Sequence, residues 1–127
     1  MDIFLTRPFA RWRAKARLSD DALCAAIDEM KRGLIDADLG AGLYKKRVRR
    51  PGAGKSGSYR TLIAARLGER AIFLYGFAKN ERDNIDAREE RALKVIAGDL
   101  LRYDSTRIQR AIAIGELIEL RCDDGEG

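Results

Sequence analysis

GLYKKRVRRPGAGKSGSYRTLIAARLGERAIFLYGFAKNE, residues 42–81, decides how this chain folds. From Leu43 to Val48 the side chains alternate with period two, placing Leu43, Lys45 and Arg47 on one face and Tyr44, Lys46 and Val48 on the other. Pro51 and the glycines at 52, 54 and 57 forbid regular structure, so residues 50–58 are expected to form an exposed loop. Alternation resumes from Tyr59 to Leu67, and Gly68-Glu69 offers the glycine-first pair that a two-residue hairpin turn prefers. That turn sets a register with Leu67 against Arg70, Ile63 against Leu74, Leu62 against Tyr75 and Arg60 against Phe77. Ile63, Ala65, Ile72 and Leu74 then face the helices. Arg60, Leu62, Phe73, Tyr75 and Phe77 make an aromatic floor with a cation at its edge.

Working outward, Ile3 to Thr6 reads as a short first strand, stopped where Pro8 opens a helix. Phe9, Trp12 and Ala16 share one helical face and read as core rather than as a platform for bases. Ser19 is a good N-cap, with Asp20 and Asp21 favourably placed for the helix dipole and Leu18 able to close over Leu23. Ala26, Ile27, Met30 and Leu34 continue the apolar face, and Gly33 marks its end. On the other side, Asp86 with Glu89 forms a capping box for a helix carrying Leu93, Ile96, Ala97, Leu100 and Leu101, where Glu90 can pair with Lys94. Ser105 is expected to cap a further short helix with Ile108, Ile112 and Ala113. Gly115 breaks it before a possible edge strand, Leu117 to Leu120.

The expected organisation is one α+β domain over residues 1–127 with a mainly antiparallel sheet. Residues 1–41 supply a strand and a helical hairpin, 42–81 the central sheet and basic loop, 82–121 the C-terminal helices and edge strand, and 122–127 a frayed acidic tail. Hydrophobic residues make up 46%, which suits a folded chain. The net charge of +5 is less informative than its placement, because Lys45, Lys46, Arg47, Arg49, Arg50, Lys55 and Arg60 lie close together. A local cationic cluster attracts phosphates in a salt-dependent manner.

Cys24 and Cys122 lack CxxC spacing, so neither a zinc site nor a disulfide is indicated, and both are expected to be reduced in a cytoplasm. The chain has no histidine, which removes Ser-His and Cys-His catalysis at once. No apolar run is long enough to span a bilayer and no signal-peptide core opens the sequence. The expectation is a soluble, unexported protein with no membrane partner.

Gly52-Ala53-Gly54-Lys55-Ser56 looks like the end of a Walker A loop, but the pattern needs a glycine where Arg49 stands and should run into a helix rather than a strand. Lys45, Arg47, Lys55, Arg60 and Lys79 converge on one sheet face beside Tyr75 and Phe77, the mixture of cations and aromatics that single-stranded RNA recognition uses. Tyr75-Gly76-Phe77-Ala78-Lys79-Asn80-Glu81 ends a strand in a cation, an amide and a carboxylate beside that face.

These residues also carry a resemblance. Gly42 to Val48, the GxGKSGSYRTLI loop and strand, and YGFAKNERDNI before an Asp-capped helix resemble the RelE/HigB superfamily of type II toxin–antitoxin toxins, in particular a HigB-like branch. The resemblance implies a microbial-ribonuclease-like α+β fold, cleavage of mRNA usually on the ribosome, and neutralisation by a cognate antitoxin, commonly a helix-turn-helix protein. It matches Lys45 and Arg47 to the family's paired cations, Arg60 to its arginine after the loop and Lys79 to its lysine after the last central strand. Compact RelE proteins carry an arginine where Asn80 stands here and a tyrosine near Ile85 and Asp86, and those two roles do not transfer.

RNA can be cut by attack of its own 2′-OH on the adjacent phosphorus, so positioning and electrostatics suffice, without metal or cofactor. On this reading Arg60, Lys55, Lys79 and Glu81 are the catalytic candidates, with Arg60 holding the scissile phosphate. Lys45, Arg47, Arg49, Tyr75, Phe77 and Asn80 are the RNA-binding candidates, Tyr75 or Phe77 stacking on a base. Glu81, or a lysine tuned by neighbouring cations, is the candidate proton acceptor. The alternatives are a ParE-like inhibitor of DNA gyrase, or a non-catalytic relic that binds only nucleic acid or its antitoxin.

Overall fold

The structure is a computed structural model that describes residues 1–50 and 57–122. In chain order its elements are β1 (Asp2–Thr6), α1 (Arg7–Ala16), α2 (Asp20–Lys31), β2 (Ala37–Gly40), β3 (Leu43–Val48), β4 (Tyr59–Arg66), β5 (Arg70–Ala78), α3 (Ala87–Leu101), α4 (Ser105–Ala113) and β6 (Leu117–Leu120). The strands form one sheet in the order β2-β3-β4-β5-β1-β6. Only the β1–β5 pair among them is parallel.

The sheet is covered on both faces. Ile3, Leu5, Ile63 and Phe73 point toward α1 and α2, where Phe9, Leu23, Ile27 and Met30 complete a first core. Phe4, Leu43, Leu62, Ile72, Leu74 and Phe77 point the other way, toward α3 and α4, and pack with Leu100, Leu101 and Ile108. Alternate residues of one strand therefore feed two separate cores, each large side chain worth about 1.5–3 kcal/mol when fully buried. This explains why β4 and β5 read as near-continuous apolar runs.

The caps form largely as expected. The Ser19 hydroxyl accepts from the Ala22 N–H, Leu18 and Leu23 are both buried beside it, and Asp86 with Glu89 completes a capping box. Lys94 pairs with Glu90 at 3.1 Å. The C-terminal segment joins the sheet as β6, antiparallel to β1. No helix among the described residues is long and apolar enough to cross a membrane.

Several expectations need correction. The β4–β5 connection uses three residues, Leu67 to Glu69, with Arg66 opposite Arg70 and the Glu69 N–H donating to the Arg66 carbonyl at 2.9 Å. Ile63 accordingly faces Phe73, not Leu74. An irregularity at Leu74 then restores the expected pairs Leu62–Tyr75 and Arg60–Phe77. The supposed open aromatic floor is roofed by α3, and Phe73 lies on the opposite face, stacked on Phe9 with centroids 4.9 Å apart. β2 was not anticipated; it forms a hairpin with β3 through Gly40-Ala41-Gly42, all three with positive φ. A Cβ at Gly42 would approach Leu101 Cδ1 to 2.6 Å, so close packing of α3 also requires glycine there. Leu34 lies beyond α2 and is exposed, and Asp104, not Ser105, caps α4.

The largest correction concerns the cysteines. Cys24 on α2 and Cys122 just after β6 form a disulfide, with Cα atoms 5.6 Å apart. Their separation of 98 residues hid this, because the pairing of β6 with β1 is a tertiary event that returns the chain beside α2.

Candidate nucleic-acid interface

The site begins with the two faces of β3. Lys46 points toward α2, is buried, and its ammonium donates to Glu29 Oε1 at 2.7 Å. The hydrogen bond from Lys46, with further help from the charges of Lys46, Arg49 and Arg32, holds the Glu29 carboxyl below its ordinary range despite partial burial. This pair ties β3 to α2 and fixes which way the strand faces.

Lys45 and Arg47 therefore emerge on the other face. Arg47 pairs with Arg60 across β3–β4, and Arg60 pairs with Phe77 across β4–β5, so three strands contribute to one row. Lys45 stands two residues from Arg47, opposite Leu62 and hence in the row of Tyr75. Lys79 follows β5 two residues after Phe77, in an exposed turn. Among the described residues, no side-chain nitrogen of Lys45, Arg47, Arg60 or Lys79 lies within 4 Å of a carboxylate oxygen. Arg60 Nη1 donates to the Ser58 hydroxyl at 3.1 Å, and Lys45 Nζ reaches Asn84 Oδ1 at 3.4 Å. Adjacent cations without carboxylate partners create a positive potential that an oligoanion can neutralise.

Arg47 and Arg49 also line a shallow groove beside α2 with Ala22, Ala25 and Glu29, so the cationic strip wraps the sheet edge. Lys55 lies outside the described residues. Asn80 and Glu81 are exposed in the turn after β5, where the Glu81 N–H donates to the Ala78 carbonyl at 3.0 Å. Phe77 is only 4% exposed and cannot offer its face to a base, which corrects the stacking role expected for it. Tyr75 is half-buried with its hydroxyl accepting from Arg82 at 3.1 Å.

Arg82 is the residue that sequence reasoning missed. Its guanidinium makes two hydrogen bonds to Glu89, one to Tyr75 and one through Nε to the Asn84 carbonyl, and sits 5.6 Å from the Phe77 ring centroid. The Glu89 hydrogen bond raises the Arg82 pKa, and the reciprocal bond lowers that of Glu89. Glu89 meanwhile accepts from the Asp86 N–H, so one carboxylate caps α3 and clasps the preceding loop. The signal was present in the capping-box glutamate, which keeps acceptor capacity facing the loop that carries Arg82. Among the described residues, no group of three His, Cys, Asp or Glu converges as a set of metal ligands.

Over residues 1–120 the chain matches the sequence model of a family described as "RelE toxin of RelE / RelB toxin-antitoxin system". A search of curated proteins finds no match.

Proposed function

The chain belongs to the RelE toxin family, a membership that implies a cognate antitoxin, and from that premise we propose that it is an endoribonuclease that cuts mRNA on the ribosome and stops translation. The reading extends to the HigB-like branch and to a helix-turn-helix antitoxin on the strength of the GKSG and YGFAKNERDNI motifs. One observation carries it: Arg47, Arg60 and Phe77 lie in a cross-strand row, with Lys45 two residues from Arg47 on β3 and Lys79 in the exposed turn that follows β5.

In the proposed reaction the RNA 2′-oxygen attacks the adjacent phosphorus and gives its proton to an acceptor, the P–O5′ bond breaks to leave a 2′,3′-cyclic phosphate, and the departing 5′-oxygen takes a proton from solvent. Arg60 binds the scissile phosphate and stabilises charge growing on its non-bridging oxygens, while Lys45, Arg47 and Lys79 hold the flanking backbone. Glu81, exposed in the same turn as Lys79, is the candidate to accept the proton. Lys55 and Arg49 extend the grip at the loop, and Asn80 adds an amide beside it.

Expressing the chain without its antitoxin and mapping mRNA 5′ ends within minutes tests this. Codon-phased cuts in translated messages that disappear in Arg60→Ala are expected. Growth arrest with intact messages and broken DNA would instead indicate a gyrase inhibitor, and absence of toxicity a binding relic.

A further inference from the structure

Arg82 and Glu89 hold the hydroxyl of a tyrosine that stands next to Arg60. Residues opposite one another on paired strands share a face, so Tyr75, Leu62 and Lys45 form one row, adjacent to the row of Phe77, Arg60 and Arg47. Leu62 and Phe77 belong to the core under α3, which places both rows on that side of the sheet. Tyr75 and Arg60 are thus diagonal neighbours across β4–β5, a spacing of about 7–8 Å that aromatic and long side chains bridge.

The Tyr75 ring packs on that core and leans on Phe77, with centroids 6.1 Å apart. Its hydroxyl accepts from Arg82 Nη1 at 3.1 Å, and among the described residues no acceptor takes its own proton. A phenol bonded in this way keeps its O–H to donate, and a cationic donor at its oxygen polarises that bond. Arg82 is itself occupied by protein groups, because Glu89 takes both terminal nitrogens and the Asn84 carbonyl takes Nε. With its charge matched by a carboxylate it is a poor ligand for phosphate and a good brace. The same loop reaches back to the cationic row, since Asn84 Oδ1 accepts from the Ile85 N–H at 2.9 Å and lies 3.4 Å from Lys45 Nζ. One clasp therefore steadies a tyrosine on β5 and a lysine on β3, with β4 and Arg60 between them.

We propose that Arg82 is a positioning residue of the nuclease centre, holding the Tyr75 hydroxyl so that it donates to a non-bridging oxygen of the scissile phosphate bound by Arg60. The inference rests on the nuclease reading and adds a neutral donor to the cations already assigned. As the 2′-oxygen attacks, charge grows on those phosphate oxygens, and a donor fixed beforehand stabilises it without reorganising. Arg82 touches no RNA and acts through Tyr75. The Glu89 oxygen that accepts from Arg82 also accepts from the Asp86 N–H, so the start of α3 sets the angle of the guanidinium.

Single-turnover cleavage of a message on programmed ribosomes gives the rate at saturating protein and the half-saturating concentration separately. Tyr75→Phe removes only the hydroxyl and should lower the saturating rate about a hundredfold, the loss expected for one donor to developing charge. Half-saturation and the unfolding midpoint should stay close to wild type. Arg82→Lys keeps the charge but cannot grip Glu89 and Tyr75 together, so it should slow the same step. The double variant should be no slower than Tyr75→Phe alone, because both remove one interaction. Should Arg82→Lys fail to fold, Glu89→Gln, which keeps an oxygen for the α3 cap but turns an amide toward Arg82, takes its place in the cycle. A saturating rate unchanged in Tyr75→Phe, or losses that multiply in the double variant, would overturn the positioning role and leave the nuclease reading intact. Wild-type protein that cuts no message would overturn both.

Discussion

Replacing Glu29 by Gln would leave the Lys46 ammonium buried without its carboxylate. Lys46 has 6% of its side chain exposed and Glu29 27%. Removing one partner of a fully buried pair costs about 3–5 kcal/mol, and because water still reaches Glu29 a loss of about 2–3 kcal/mol is expected here. At about 2.1 cal/mol/K per residue of unfolding entropy, each kcal/mol moves the midpoint of a chain this size by about 4 °C, so thermal unfolding at pH 7 should fall by about 8–12 °C. Lys46→Met removes the buried charge and leaves a carboxylate that can hydrate, and should lose no more than about 1 kcal/mol. The pH dependence provides a second check. Glu29 has its folded pKa depressed below 4.5, chiefly by the Lys46 hydrogen bond, so the unfolded chain takes up the proton first as pH falls. The difference between wild type and Glu29→Gln should therefore be constant near neutrality and shrink as pH drops below 4.5 through the folded value. Equal losses in the two variants, or a difference undiminished at low pH, would refute the idea that this pair fastens β3 to α2.

Two further outcomes concern the disulfide and the contact of β5 with α1. Reduction of the Cys24–Cys122 bond, or Cys24→Ser, should lower the unfolding midpoint by about 8–16 °C, corresponding to about 2–4 kcal/mol for a long loop; thiol titration showing two free cysteines in the oxidised native protein would contradict it. Gly76→Ala must displace Trp12, costing about 1–3 kcal/mol and shifting tryptophan emission; unchanged emission and stability would mean that the indole does not rest on β5.

The sequence made the two-sided sheet difficult to see for a specific reason. Period-two alternation identifies a strand, but when both faces are buried the apolar residues are almost continuous, and nothing local says that Leu62 and Ile63 serve different cores. The hairpin between β4 and β5 shows how an error can cancel itself. A three-residue turn shifts the pairs near it, the irregularity at Leu74 shifts them back, and the pair Arg60–Phe77 emerges in the expected register. Caps such as Ser19 and Asp86 were legible because they depend on neighbours three residues away. The disulfide and the Arg82 clasp were not, because both depend on where the chain returns in space. The alternation of Lys45, Lys46 and Arg47 was legible too, and it is this simple period that separates a structural lysine from surface cations.

The central claim is that Arg60 and its neighbours on the sheet bind RNA phosphates. The dependence of affinity on salt for an uncleavable oligoribonucleotide tests it most directly, with about three phosphates engaged giving a slope of log K against log salt near −2, at about −0.7 per phosphate. Arg60→Ala is predicted to make that slope shallower by about 0.7 while the protein stays folded. A slope near zero, or one identical in wild type and Arg60→Ala, would contradict it.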